Sequence, residues 1–214
     1  MNVLSYKKIK GGSNLNKKIR LIIIISIILM LSCSIIGVIF LMFQHYTKKQ
    51  NINLVYENYN DNVIQNRIID ELESKENLNN IDDLMLQIDG TNILGIIKID
   101  KINFEGFIYE GTSLKTLAKG VGHFENTPYL TGNVCLAAHN TNSYWSKLHT
   151  LSKGDKIQYT CFLGTKEYKV NSITKINETD WSPLENTTDN TLTLITCVKG
   201  QKELRLCVQA KEIK

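Results

Sequence analysis

Polar and apolar positions divide the chain into three textures. Residues 21–43 (LIIIISIILMLSCSIIGVIFLMF) carry no charge at all. As a helix rising about 1.5 Å per residue, such a run crosses a hydrocarbon core of about 30 Å with a little tilt. Residues 47–92 are polar and rich in Asn, Asp and Glu, yet Val63, Ile64, Ile68, Ile69 and Leu72 recur at roughly helical spacing around Arg67 and Asp70. That pattern predicts one amphipathic helix in a stalk that packs loosely on the C-terminal domain. From Ile93 onward the chain changes to short apolar segments punctuated by turn residues. Residues 93–99 (ILGIIKI), 104–109 (FEGFIY), 133–138 (NVCLAA), 156–162 (KIQYTCF), 167–176 (EYKVNSITKI), 191–196 (TLTLIT) and 204–210 (LRLCVQA) read as strands, through alternation or β-branched enrichment. So many short strands in one domain-sized stretch imply an all-β sandwich or closed barrel. Helix is expected at 113–119, where Ser113 offers a cap, and at 143–148.

The expected organisation is therefore a basic tail (1–20), a transmembrane helix (21–43), a stalk (44–92) and a folded domain (93–214). At 214 residues the chain has room for one ordinary domain plus these accessories. With 43% hydrophobic and 21% charged residues, wholesale disorder is excluded. A cleaved leader would have a shorter apolar region, about 7–15 residues, followed by small residues at a cleavage site. Here Gln44, His45 and Tyr46 follow, so a retained anchor is expected.

Charge sets the orientation. Lys7, Lys8, Lys10, Lys17, Lys18 and Arg20 precede the apolar run with no acid among them, whereas only Lys48 and Lys49 follow it closely. Positive flanks stay on the cytoplasmic side, so the C-terminal domain is expected outside the cell membrane, held by a single pass. The net charge of +4 resides largely in those lysines rather than on a surface interleaved with aromatic groups, so no nucleic-acid partner is expected. The 5 cysteines include no CxxC spacing, which disfavours structural zinc. They are also few for a disulfide-stapled scaffold. Cys135 and Cys207 are expected reduced and buried.

Three residues stand where chemistry is feasible. Cys197 ends an apolar strand just before Lys199-Gly200, held by the strand yet close to solvent. His139 closes NVCLAA and opens a polar loop at Asn140. Arg205 follows Cys197 after a short loop, which in a hairpin places the two on adjacent strands. Each has a plainer explanation: a free cysteine is commonly a small buried hydrophobe, and a lone histidine is commonly a surface residue. A guanidinium among Leu204, Leu206 and Val208 either pairs with an acid or faces a cleft.

Together, however, these residues resemble the sortase family of cysteine transpeptidases. Thr193-Leu194-Ile195-Thr196-Cys197 matches that family's T-L-x-T-C signature, Arg205 follows at a suitable distance, and Leu136-Ala137-Ala138-His139 looks like the strand that delivers the sortase histidine. KINFEGFIYEGTS (101–113) and KGVGHFENT (119–127) look like the segments that open a sortase barrel. The resemblance implies a closed eight-stranded β-barrel with a few short helices. It also implies that Cys197 is the nucleophile, His139 the acid/base and Arg205 the transition-state stabiliser, through the oxyanion or by holding the substrate backbone, two roles the sequence does not separate, while Thr196, Asn140 and His123 contribute to substrate binding.

The implied substrate is a surface protein bearing a Leu-Pro-x-Thr-Gly sorting motif. It is cut between Thr and Gly through a thioester and passed to a peptidoglycan-precursor amine, with no cofactor and no catalytic metal. Pilin polymerisation is the alternative, although the Asp-Pro-aromatic lid usual in pilin-type relatives is not found, which points to the class A or class D types. Glu178, Asp180, Glu185 and Asp189 fall in a late loop where some sortases bind calcium. A papain-like hydrolase would place the cysteine ahead of the histidine in the chain, the reverse of this order. A non-catalytic surface binding module on the same barrel is the other rival.

Overall fold

The computed structural model describes residues 17–60, 85–88 and 90–213. The tail ahead of residue 17 and the helix expected around 63–72 lie outside them. Contacts divide the chain into two units, Met1–Lys48 and Lys49–Lys214. In the first, the described residues belong to helix α1 (Lys17–Asn60). Its apolar side chains stand exposed, Ile22 and Ile36 at 64% each. Ser32, Ser34 and Thr47 turn their hydroxyls back onto the carbonyls of Leu29, Met30 and Phe43, at 2.8, 2.9 and 2.9 Å. Each of these three hydroxyl donors is thereby paired within the helix. Among the described residues α1 is the one helix long and apolar enough to cross a membrane.

The second unit is an eight-stranded closed barrel. Its strands are β3 (Gly95–Ile99), β4 (Phe104–Glu110), β5 (Val121–His123), β6 (Asn133–Ala137), β7 (Lys156–Cys161), β8 (Gly164–Asn177), β9 (Thr191–Val198) and β10 (Gln201–Glu212). They are ordered β10-β8-β7-β3-β4-β5-β6-β9, and the β9–β10 pairing closes the ring. Only β4–β5 and β6–β9 pair in parallel. A separate hairpin joins β1 (Leu86–Ile88) to β2 (Thr91–Ile93), so the expected strand at 93–99 is divided at Leu94. Strand β5 is the one barrel strand absent from the sequence expectation, being three residues long.

Side chains on β9 alternate as a barrel wall requires. Leu192 and Leu194 face the core opposite Val134 and Leu136 of β6, and Leu194 also faces Val208 of β10. Thr193, Ile195 and Cys197 point the other way, opposite Cys135, Ala137, Cys207 and Arg205. The core also takes Ile52, Val55 and Tyr59 from the last turns of α1, at helical spacing. Tyr59 donates its hydroxyl to the Ile93 carbonyl and accepts from the Leu86 amide at 2.8 Å. The segment expected as a loosely packed stalk thus contributes buried residues of its own.

Ser113 caps the short helix Leu114–Leu117, its Oγ accepting from the Thr116 amide at 3.2 Å. Residues 143–148 do not form the expected helix. The carbonyl of His139 accepts from both Thr141 and Trp145, and that of Thr141 from Tyr144 and Ser146, which winds the loop irregularly into the turn Leu148–Thr150. The loop between β8 and β9 is fastened by Asn133, whose side-chain amide donates to the carbonyls of Pro183 and Glu185, at 2.8 Å each. Its oxygen accepts from Thr193 at 2.7 Å. The neighbouring Gly132 has φ +85, and a Cβ there would meet Asn186 Oδ1 at 2.2 Å, so this junction admits no side chain.

Candidate active site

The outward row of β9 ends at Cys197, which is exposed, and the register sets Arg205 of β10 directly opposite it. On the other side β6 stops at Ala137, opposite Ile195, so the end of β9 has no strand neighbour there. The chain leaving β6 is stitched to it instead. Ala138 donates its amide to Ile195 O at 3.3 Å, Thr196 donates its hydroxyl to Ala138 O at 2.7 Å, and Asn140 donates its side-chain amide to Cys197 O at 2.6 Å. His139 lies inside this set of stitches. His139, Cys197 and Arg205 line one groove of about 270 Å³.

The groove has an apolar floor and rim. Ala137 and Ile195 lie along it, with Leu114 and Leu117 from the short helix. Phe124 and Trp181 meet edge to face across 6.5 Å, and Trp181 is 61% exposed. Nothing along the chain signals this pair beyond a tryptophan placed in an otherwise polar loop.

Arg205 lines the groove, and its guanidinium donates to Glu178 Oε2 at 2.6 Å, to Lys202 O at 2.7 Å and to Leu204 O at 3.1 Å. The Glu178 amide in turn donates to Glu203 O at 2.8 Å, which fixes the start of the β8–β9 loop beside β10. The loop acids thereby separate in role: Asp189 pairs with Lys211 at 2.9 Å, and Asp180 accepts from the Ser182 amide and hydroxyl.

His123, expected at the substrate, lies elsewhere than along this groove. It is fully buried, with Nδ1 on the Glu110 carboxylate at 3.1 Å and Nε2 beside Thr127 Oγ1 at 3.1 Å, and its ring stacks on Tyr129 at 4.8 Å. β5 turns this side chain into the fold, away from the groove. Thr196 is likewise buried, and reaches the groove only as part of its wall. His149 is exposed, its Nδ1 on Ser146 O at 2.8 Å.

The cysteines differ sharply in surroundings. Burial pushes the Cys135 thiol up to about 12 and those of Cys161 and Cys207 up to about 11, which keeps all three protonated and inert near neutrality. None is in a disulfide. Cys197 is therefore the exposed thiol of the barrel unit.

A family model described as a sortase domain matches residues 97–213. Sortase A of Listeria monocytogenes is 28% identical over 125 residues, 56% of this chain and 56% of that protein. The chain thus spans about half the length of the curated relatives it matches. Among solved structures, Sortase C1 of GBS Pilus Island 1 superposes with a TM-score of 0.63 at 25% identity, over 78% of this chain and 92% of that one. A Clostridium perfringens Sortase D5 transpeptidase does so with a TM-score of 0.59 at 25% identity, over 78% and 98%.

Proposed function

We propose that this chain, which belongs to the sortase family, is a membrane-anchored transpeptidase. It cleaves a Leu-Pro-x-Thr-Gly sorting motif between Thr and Gly and transfers the new acyl end to a peptidoglycan-precursor amine. The observation that carries this reading is the juxtaposition of an exposed thiol with an imidazole and a guanidinium along one groove, the thiol and guanidinium at paired strand positions. The groove's apolar lining suits an extended peptide carrying leucine and proline, with Phe124 and Trp181 as its aromatic contacts.

In this scheme the Cys197 thiolate attacks the threonine carbonyl carbon and the π electrons move onto oxygen. Arg205 stabilises that oxyanion with a permanent charge and several donors. His139 protonates the departing glycine amine as the C–N bond breaks, leaving a thioester. An incoming amine then loses a proton to the imidazole, attacks the thioester and releases the sulfur. Thr196 and Asn140 act on position: each ties the chain around His139 to the end of β9. No step needs a cofactor. The basic tail places the N-terminus in the cytoplasm and the catalytic domain outside. A second reading, favoured by the likeness to a pilus-island sortase, keeps the same residues but takes its amine from another surface protein.

The test is turnover by the full chain in detergent of a fluorogenic Leu-Pro-x-Thr-Gly peptide, with triglycine or diaminopimelate as acceptor. Transfer to the amine is expected. Water-only cleavage would identify a hydrolase instead, and peptide binding without cleavage a surface binding module.

A further inference from the structure

A transpeptidase needs places for two reactants, and a second cleft opens at the same sulfur. About 750 Å³ in volume, it shares no lining residue with the peptide groove except Cys197. Its charge is one-sided, where the groove mixes Arg205 with Glu178 and Asp180. Lys147 of the loop after β6, Lys175 of β8 and Lys199 of the β9–β10 turn line it, and no aspartate or glutamate is among the described residues that do. Asn140, Asn142 and Ser146 add polar groups. Trp145 also lines it. Its indole N–H is buried and has no hydrogen-bond partner among the described residues, which leaves a desolvated donor uncompensated beside the cleft.

We infer that this cleft binds the acyl acceptor, and that the acceptor is an amine carrying one or more carboxylates. This rests on the transpeptidase reading above. Cations and donors without counter-charge select an anionic, acceptor-rich group, and a carboxylate held by these lysines leaves the amine of the same molecule free to reach the thioester at Cys197. There the neutral amine nitrogen attacks the carbonyl carbon, the C–N bond forms, the C–S bond breaks with its electron pair on sulfur, and the proton shed by nitrogen passes to His139. The same lysines disfavour a second ammonium nearby, which helps keep the attacking nitrogen neutral.

The test uses the full chain in detergent with the fluorogenic sorting peptide, and compares diaminopimelate with its uncharged diamide as acceptors. The KM for the carboxylated acceptor is expected to be about three- to tenfold lower, as a pair of partly exposed charge contacts supplies. Lys147→Gln with Lys175→Gln should bring the ratio of the two KM values close to one, whereas the Lys→Arg pair should retain it. Equal KM values in the parent chain, or a preference that survives the double neutralisation, overturns the assignment. A binding arm separates this from failure of the reaction itself. The sequence holds 2 tryptophans, so Trp181→Phe leaves Trp145 as the sole reporter, and diaminopimelate is expected to shift its fluorescence saturably while the diamide does not. A chain that cleaves the peptide yet shows no such shift loses the cleft proposal alone. One that shows the shift yet never cleaves loses the reaction and keeps an anion site.

Discussion

Cys197, His139 and Arg205 are legible because a contiguous signature and two spacings in the sequence mark them; their partners are not. Glu178 stands in the sequence as one of several loop acids, and nothing local foretells that it holds Arg205 at 2.6 Å. The burial of His123 is hidden for the same reason: Glu110, Thr127 and Tyr129 surround it only once β5 lies between β4 and β6. Replacing Cys197 by alanine should abolish turnover while moving Tm by less than about 5 °C, since an exposed side chain contributes little to stability. Residual peptide cleavage would remove Cys197 as nucleophile. Glu178→Gln removes the negative charge that offsets the guanidinium opposite Cys197. Alkylation of the sulfur by iodoacetamide at neutral pH should then quicken by about two- to fivefold, an effect of nearby charge that salt weakens. An unchanged rate would mean that Arg205 does not act on the sulfur.

Strands β6, β9 and β10 are readable from alternation, because one face is core and the other is not. β5 escapes such a reading because three residues carry no period, and residues 143–148 mislead because a capped-looking run gives no sign that two carbonyls will take paired donors. Asn133 is a similar blind spot: a single asparagine at the head of β6 fastens the loop that carries Trp181. Asn133→Ala should cost about 2–4 kcal/mol, through the several bonds lost with a buried side chain, and should raise the peptide KM. Melting curves and steady-state kinetics would measure both, and an unaltered KM would detach the loop from substrate binding. The buried thiols give these strands a pH signature. Cys135, Cys161 and Cys207 are raised from 9.0 to about 12, 11 and 11. The unfolded chain therefore releases those protons first, and stability falls as pH climbs from about 9 towards 11. Buried Tyr159, raised for the same reason, adds in the same direction. Tm scanned over that range should decline, less steeply in Cys161→Ala; a flat profile would contradict the burial.

For the molecule as a whole, the boundary between anchor and barrel is softer than the sequence textures suggest. The apolar run and the onset of strands are plain, yet Ile52, Val55 and Tyr59 belong to the barrel's own hydrophobic cluster although they sit in a polar stretch. A few apolar residues at helical spacing among polar neighbours are a weak signal, and what they cover becomes visible only in three dimensions. Tyr59→Phe keeps the ring but removes the hydroxyl shared by Ile93 O and the Leu86 amide, leaving those groups short of a partner. A loss of about 1–3 kcal/mol is expected, readable by denaturant unfolding of the full chain in detergent. No loss would mean that this hydroxyl is not what couples the helix end to β1 and β2.

The sulfur common to the two cavities also makes them jointly vulnerable. On the extracellular side proposed for this domain a thiol is open to capping by small disulfides or peroxides, and a cap on Cys197 projects into both spaces at once. A single oxidative event would therefore silence capture of the donor and entry of the acceptor together, and a reductant would restore the two in step.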